Sequence, residues 1–178
     1  VKILALDLAT STGVAVGDSC GTPASETVSL GNPPDDRRFS NALRLTNDLI
    51  ERHNPDLIVV EAPVGGPKAS AYLIGLVACV RGCTYGRGIL CKNAHLATVR
   101  KHFLGKSLSV KHFPHLKPMA AKKAIKQEVI TRCRLLGWKP ETDDEADACA
   151  IWDWACATFA PKYRAMPLGG LFPREGVR

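Results

Sequence analysis

No stretch of this chain stays apolar long enough to cross a bilayer. Its apolar runs, such as residues 3 to 6, 57 to 60 and 76 to 80, fall far short of the roughly 18–20 residues a spanning helix requires. The first residues also lack the basic segment, long apolar run and small-residue cleavage site of a secretory signal, so the expectation is a cytoplasmic protein with no membrane partner. None of the seven cysteines forms a C-x-x-C pair and their number is odd, which argues against a zinc site or a disulfide framework. Most stand beside Ala, Val, Leu or Ile, where a free thiol in a reducing compartment behaves as a small apolar residue. Internal repeats and low-complexity segments are missing as well, and 178 residues are too few for two cores of ordinary size.

The most informative absence is of acids. From Ala62 to Gln127 there is no Asp or Glu, while Lys68, Arg81, Arg87, Lys92, Arg100, Lys101, Lys106, Lys111, Lys117, Lys122, Lys123 and Lys126 carry positive charge. A merely solvated face would intersperse both signs. A one-sign field in the middle of a chain of net charge +7 instead points to a polyanion, most simply nucleic acid. Within this field the expected DNA-binding residues are Lys68, Arg100, Lys101, Lys106, Lys111, Lys117, Lys122, Lys123 and Lys126.

What is present reads as an α/β domain over residues 1–160 followed by an irregular tail over 161–178, rich in Pro and Gly. Val1 to Leu6, Val14 to Gly17 and Glu26 to Leu30 predict three strands able to form an antiparallel meander. Residues 35 to 53 place Phe39, Leu43, Leu45, Leu49 and Ile50 largely on one helical face. Asn54-Pro55-Asp56 ends that helix, and Leu57-Ile58-Val59-Val60 has the unbroken apolarity of a strand buried on both faces. A strand, helix, strand crossover then favours parallel pairing with the first strand. Further helices are expected over Lys68 to Cys83, Leu96 to Leu104, 119 to 136 and Asp143 to Phe159. Gly88 to Cys91 is a short strand candidate, and Gly105 to Pro118 a basic loop.

Two acids close apolar strands, Asp7 and Glu61. Either could simply cap a following turn. If the strands are neighbours, however, the carboxylates converge at one sheet edge, where a divalent cation would relieve their repulsion. Thr142-Asp143-Asp144-Glu145 reads as a helix N-terminus with a capping box, which accounts for Asp143, Asp144 and Glu145 without chemistry. Asp147 is not covered by that reading, because it shares a helical face with Ile151 and Trp154. Asp144, three residues earlier, lies on the same side and completes a pair suited to Mg²⁺ or Mn²⁺.

Taken in order, Ile3-Leu4-Ala5-Leu6-Asp7 with Thr12-Gly13, then Leu57-Ile58-Val59-Val60-Glu61, then Asp144-Glu145-Ala146-Asp147-Ala148 resemble the RuvC family of Holliday junction resolvases, within the ribonuclease H-like superfamily. The resemblance extends from residue 1 to about 159. It implies a ribonuclease H-like fold, a central mixed sheet of about five strands flanked by helices, in a bacterial protein or one encoded by a phage. It also implies that Asp7, Glu61, Asp144 and Asp147 hold two Mg²⁺ or Mn²⁺ ions per active site. Arg100 and Lys123 resemble the basic residues that the family sets near the scissile phosphate, so those two join the four acids as candidate catalytic residues. A homodimer is implied too, joined through the helix after the Glu-bearing strand, here Lys68 to Cys83. Where family members often carry an aromatic residue in the loop after that Glu, Pro63 to Ser70 has none, and Tyr72 is the nearest.

The expected activity is therefore metal-dependent nicking of Holliday junctions or other branched DNA. An RNA-processing nuclease of the same fold and a non-catalytic DNA-binding module are the alternatives. Asp7 to Gly13 also looks like the phosphate loop of sugar-kinase and actin-like ATPases, but that fold needs two such domains.

Overall fold

The computed structural model describes residues 1–160, apart from the side chain of Lys68. The expected irregular tail at 161–178 lies outside the described residues. Strands β1 (Lys2–Asp7), β2 (Ser11–Asp18) and β3 (Ala24–Ser29) form an antiparallel meander. Helix α1 (Asp35–His53) crosses to β4 (Leu57–Glu61), which pairs parallel to β1, and β5 (Leu90–Ala94) adds in parallel beyond it. The sheet order is β3-β2-β1-β4-β5. Four more helices complete the chain: α2 (Ala71–Gly86), α3 (Leu96–Leu104), α4 (Pro118–Leu135) and α5 (Asp143–Phe159).

Because β1 and β4 are central, both of their faces are covered, and the sheet separates two apolar cores. Ile3, Ala5, Leu57 and Val59 pack with Val99, Phe103, Val129, Cys133, Ile151 and Trp152 of α3, α4 and α5. Leu4, Leu6, Ile58 and Val60 pack with Leu49 of α1 and Leu76 and Val80 of α2. That double burial is why the two strands are unbroken apolar runs rather than alternating ones. Side chains alternate across a strand, so Asp7 continues the Ile3 and Ala5 row and Glu61 the Leu57 and Val59 row. Both acids thus emerge on the face that α5 covers.

Several boundaries differ from the sequence expectation. The helix expected from Lys68 begins at Ala71, because the Ser70 hydroxyl caps it by accepting the Leu73 N–H at 3.3 Å, and Gly66–Lys68 forms a separate 3₁₀ turn. The strand expected at Gly88 starts at Leu90, since Gly88, at φ 68°, completes the turn that follows α2. It runs on through the polar Lys92 and Asn93 to Ala94, past the end expected at Cys91. The basic loop contains a 3₁₀ turn, Val110–His112, in which His112 is spent on capping: its Nδ1 accepts the Ser109 N–H at 3.1 Å. Among the described residues no helix is long and apolar enough to cross a membrane.

Candidate active site

The site lies where β1 and β4 end beneath the start of α5. Leu6 is level with Val60 in the parallel pairing, so Asp7 and Glu61 follow side by side. Asp7 is 8% exposed, and its carboxyl is within hydrogen-bonding reach of Glu61. Burial first, and then the Glu61 carboxyl, push the Asp7 pKa up to about 10, with Asp147 and Asp144 adding to the effect. Glu61 stands beside Asp7 in the strand pairing, and the Asp144 backbone lies against Gly13, the cross-strand partner of Asp7. Thus the structure brings together the four carboxylates Asp7, Glu61, Asp144 and Asp147.

Two small residues admit α5 to this edge. Gly13 faces Asp7 across the β1–β2 pairing, and a Cβ there would overlap the Asp144 carbonyl. Thr12, fully buried, donates its hydroxyl to the Ala9 carbonyl at 2.9 Å and closes the connecting turn. The Thr12-Gly13 pair therefore shapes the site without contributing chemistry to it.

The N-terminus of α5 is held more firmly than a capping box alone would do. Thr142 Oγ1 accepts the Glu145 N–H at 3.1 Å, as expected. Glu145, however, is buried and turns toward β3. Its carboxylate accepts from Ser25 Oγ and Thr27 Oγ1, each at 3.0 Å, and from the Glu141 N–H at 3.1 Å, while Thr27 and Thr142 hydroxyls meet at 2.5 Å. These residues were not legible as site components, since Ser and Thr alternating along a strand carry no motif. Their bonds tie the turn bearing Asp144 and Asp147 to the sheet that bears Asp7.

Of the two cations expected beside the acids, Arg100 lies against them. Arg100, on α3, makes a two-point ion pair with Asp147: Nε donates to Oδ1 at 3.2 Å and Nη2 to Oδ2 at 2.7 Å. Asp147 is 2% exposed, and its pKa is raised because burial outweighs the opposing pull of Arg100. The lysine that reaches the acids is Lys126, one turn beyond Lys123 on α4. Its Nζ lies 2.6 Å from Asp143 Oδ2 and 3.7 Å from Asp144 Oδ1. Lys123 itself is exposed. Asp143, read as a capping acid, is in addition the partner of Lys126, and that hydrogen bond is the main cause of its lowered pKa.

Of the remaining candidates, Lys68 has a side chain outside the described residues, and the others form an outer surface. Lys101, Lys111, Lys117, Lys122 and Lys123 are exposed, whereas Lys106 pairs with Glu128 at 3.1 Å. Tyr72 lies on α2 and is occupied in packing, its ring stacked on Phe39 at 5.8 Å. It is therefore not presented as a free aromatic wedge.

Among the described residues no three His, Cys, Asp or Glu side chains form a ready-made metal cage. The donor set nonetheless suits a hard divalent ion: carboxylate oxygens only, Asp7 and Asp147 buried and Glu61 and Asp144 partly so, with a repulsion that a cation would relieve.

No protein-family model matches the chain, and no curated protein matches it in sequence. Solved structures do. RuvC of Thermus thermophilus superimposes with a TM-score of 0.65 at 17% identity, over 90% of this chain and 97% of that one. The T. thermophilus RuvC in complex with a Holliday junction substrate gives 0.63 at 17% identity, over 89% and 95%. The chain accordingly has the ribonuclease H-like fold of RuvC, as its sequence motifs led one to expect.

Proposed function

We propose that this protein is a structure-selective DNA endonuclease that nicks four-way junctions or related branched DNA. The observation carrying the reading is the convergence of Asp7, Glu61, Asp144 and Asp147 at one sheet edge. Two supports stand beside it: the RuvC-like fold, seen in one relative with a Holliday junction bound, and a central segment without a single acid.

Asp7, Glu61, Asp144 and Asp147 would hold Mg²⁺ or Mn²⁺, two ions per site, which when bound supply an activated water and neutralise charge on the scissile phosphate. The chain's own contribution is positioning. Glu145, Thr27 and Ser25 fix the α5 turn, Gly13 lets it approach, and burial limits the screening of Asp7 and Asp147 by water. Arg100 and Lys126 bring positive charge to the same edge, where a phosphodiester gains negative charge as it is attacked. The exposed lysines of the basic loop and of α4 would follow the phosphate backbone around the cut.

The deciding experiment is a nicking assay with and without Mg²⁺ on a four-way junction, a flap, a plain duplex and a structured RNA. Metal-dependent cutting of branched DNA in preference to duplex and RNA is the expected result. Preferential cutting of RNA would move the protein to RNA processing, and binding without cutting would leave a DNA-binding module.

A further inference from the structure

The acids of this site already have cations of the protein's own among them. Both oxygens of Asp147 are occupied by one guanidinium, whose fork matches a carboxylate point for point. The placement is built in: Val99 and Phe103, on either side of Arg100 in α3, are buried in the core, and Arg100 is only 19% exposed. Lys126 repeats the arrangement from α4, between Asp143 and Asp144. An unpaired carboxylate as deeply buried as Asp147 would be strongly unfavourable, so Arg100 is what makes the acid tolerable when nothing else neutralises it.

We propose that Arg100 is an internal counter-ion that competes with the divalent cation for Asp147, so that loading the site requires Arg100 to yield the carboxylate. This rests on the reading above that Asp147 is a metal ligand. The pairing regulates that site in two ways. It keeps the protein folded when divalent ions are scarce, and it weakens ion binding until another partner takes the guanidinium. A DNA phosphate, an oxyanion that the same fork fits, is the partner the chemistry selects. Phosphate arriving at the site would then favour ion loading, and the ion would favour phosphate, because coupling between two binding events is reciprocal.

The test is Mg²⁺ titration of the DNA-free protein by calorimetry, alongside melting in chelator, for the parent, Arg100→Gln, Arg100→Lys and Lys101→Gln. Lys101→Gln removes the same charge from an exposed position on the same helix. Arg100→Gln is expected to bind Mg²⁺ about tenfold more tightly than the parent, in line with the loss of a charge-assisted competitor, and to melt lower in chelator. Arg100→Lys, with a point charge and no fork, should fall between the two, and Lys101→Gln should match the parent. Weaker or unchanged Mg²⁺ binding by Arg100→Gln and Arg100→Lys would overturn the proposal, as would an equal gain in Lys101→Gln. Absence of Mg²⁺ binding in the parent and all variants would overturn the metal-site reading itself, and the proposal with it. Should Arg100→Gln fail to fold, Arg100→Lys decides alone.

Discussion

A methyl group on Gly13 would overlap the backbone carbonyl of Asp144. The two residues are 131 positions apart, yet this contact sets how near the acids of α5 come to Asp7, the partner of Gly13 in the β1–β2 pairing. The obstacle is backbone on both sides, so no side chain can rotate to make room. Gly13→Ala should displace the α5 turn, lower stability by about 1–3 kcal/mol or more, and reduce cleavage far more than junction binding. Melting and nicking rates measured together would check this, and near-parental values for both would show that α5 has slack.

Asp7→Asn should abolish cleavage, because a carboxylate oxygen is lost to the metal, while leaving junction binding intact. It should also change stability in chelator. The Asp7 pKa is raised by burial and then by Glu61, from 3.8 to about 10, so the fold prefers the protonated acid. For a raised carboxyl the contribution to stability becomes unfavourable as pH climbs from near 4 through about 10. Asn carries no such proton. The variant should therefore melt above the parent at pH 8, by about 2–4 °C for each ~1 kcal/mol gained, with the difference vanishing toward pH 4.

Neighbouring acids on α5 should behave oppositely to their sequence spacing. Asp143 is half exposed and answers Lys126, so Asp143→Asn should retain activity and lose a few tenths to ~1 kcal/mol. Glu145→Ala strands the Ser25 and Thr27 hydroxyls and the Glu141 N–H, and should lose roughly 1–3 kcal/mol together with most of the cleavage rate. Unfolding and single-turnover nicking of the two variants give the comparison.

Salt dependence of DNA binding should separate free lysines from engaged ones. Lys111, Lys117 and Lys122 are exposed, so replacing all three with Gln should flatten the slope of log K against log salt by up to about 0.9 for each phosphate that a lysine no longer neutralises. Lys106→Gln should change the slope less, since Glu128 already offsets its charge. A triple variant with the parental slope would place the basic loop and the first turns of α4 away from DNA.

Assembly is testable on α2. Gly75 is consumed by packing inside the domain, its missing Cβ replaced by the Phe39 ring. Gly82 has open space before it, and together with Ala71, Ile74, Ala78 and Tyr85 it lies on the exposed side of the helix. Tyr85 is 88% exposed. We expect sedimentation to show a dimer at micromolar concentration that makes paired, symmetric nicks, and Ile74→Glu with Tyr85→Glu to give monomers that nick one strand at a time.

The strands and helices of the sheet core were legible because hydrophobic periodicity is a local property. Leu57 to Val60 announces a strand covered twice, and residues 35 to 53 announce a one-sided helix, whatever lies elsewhere in the chain. The acids were legible for a related reason: Asp7 and Glu61 end apolar strands, and Asp147 interrupts an apolar helix face, each a local conflict that points to a site. Polar pairing across long separations left no such trace. That Arg100 would pair with Asp147 in particular, that Lys126 rather than Lys123 would reach the acids, and that Glu145 would turn to Ser25 and Thr27 depended on how α3, α4 and β3 pack around α5. A single turn of helix, or one step along a strand, changes which polar group reaches which. The hydrophobic pattern does not encode that choice, because it specifies which face is buried and not which charged tip meets which across the buried edge.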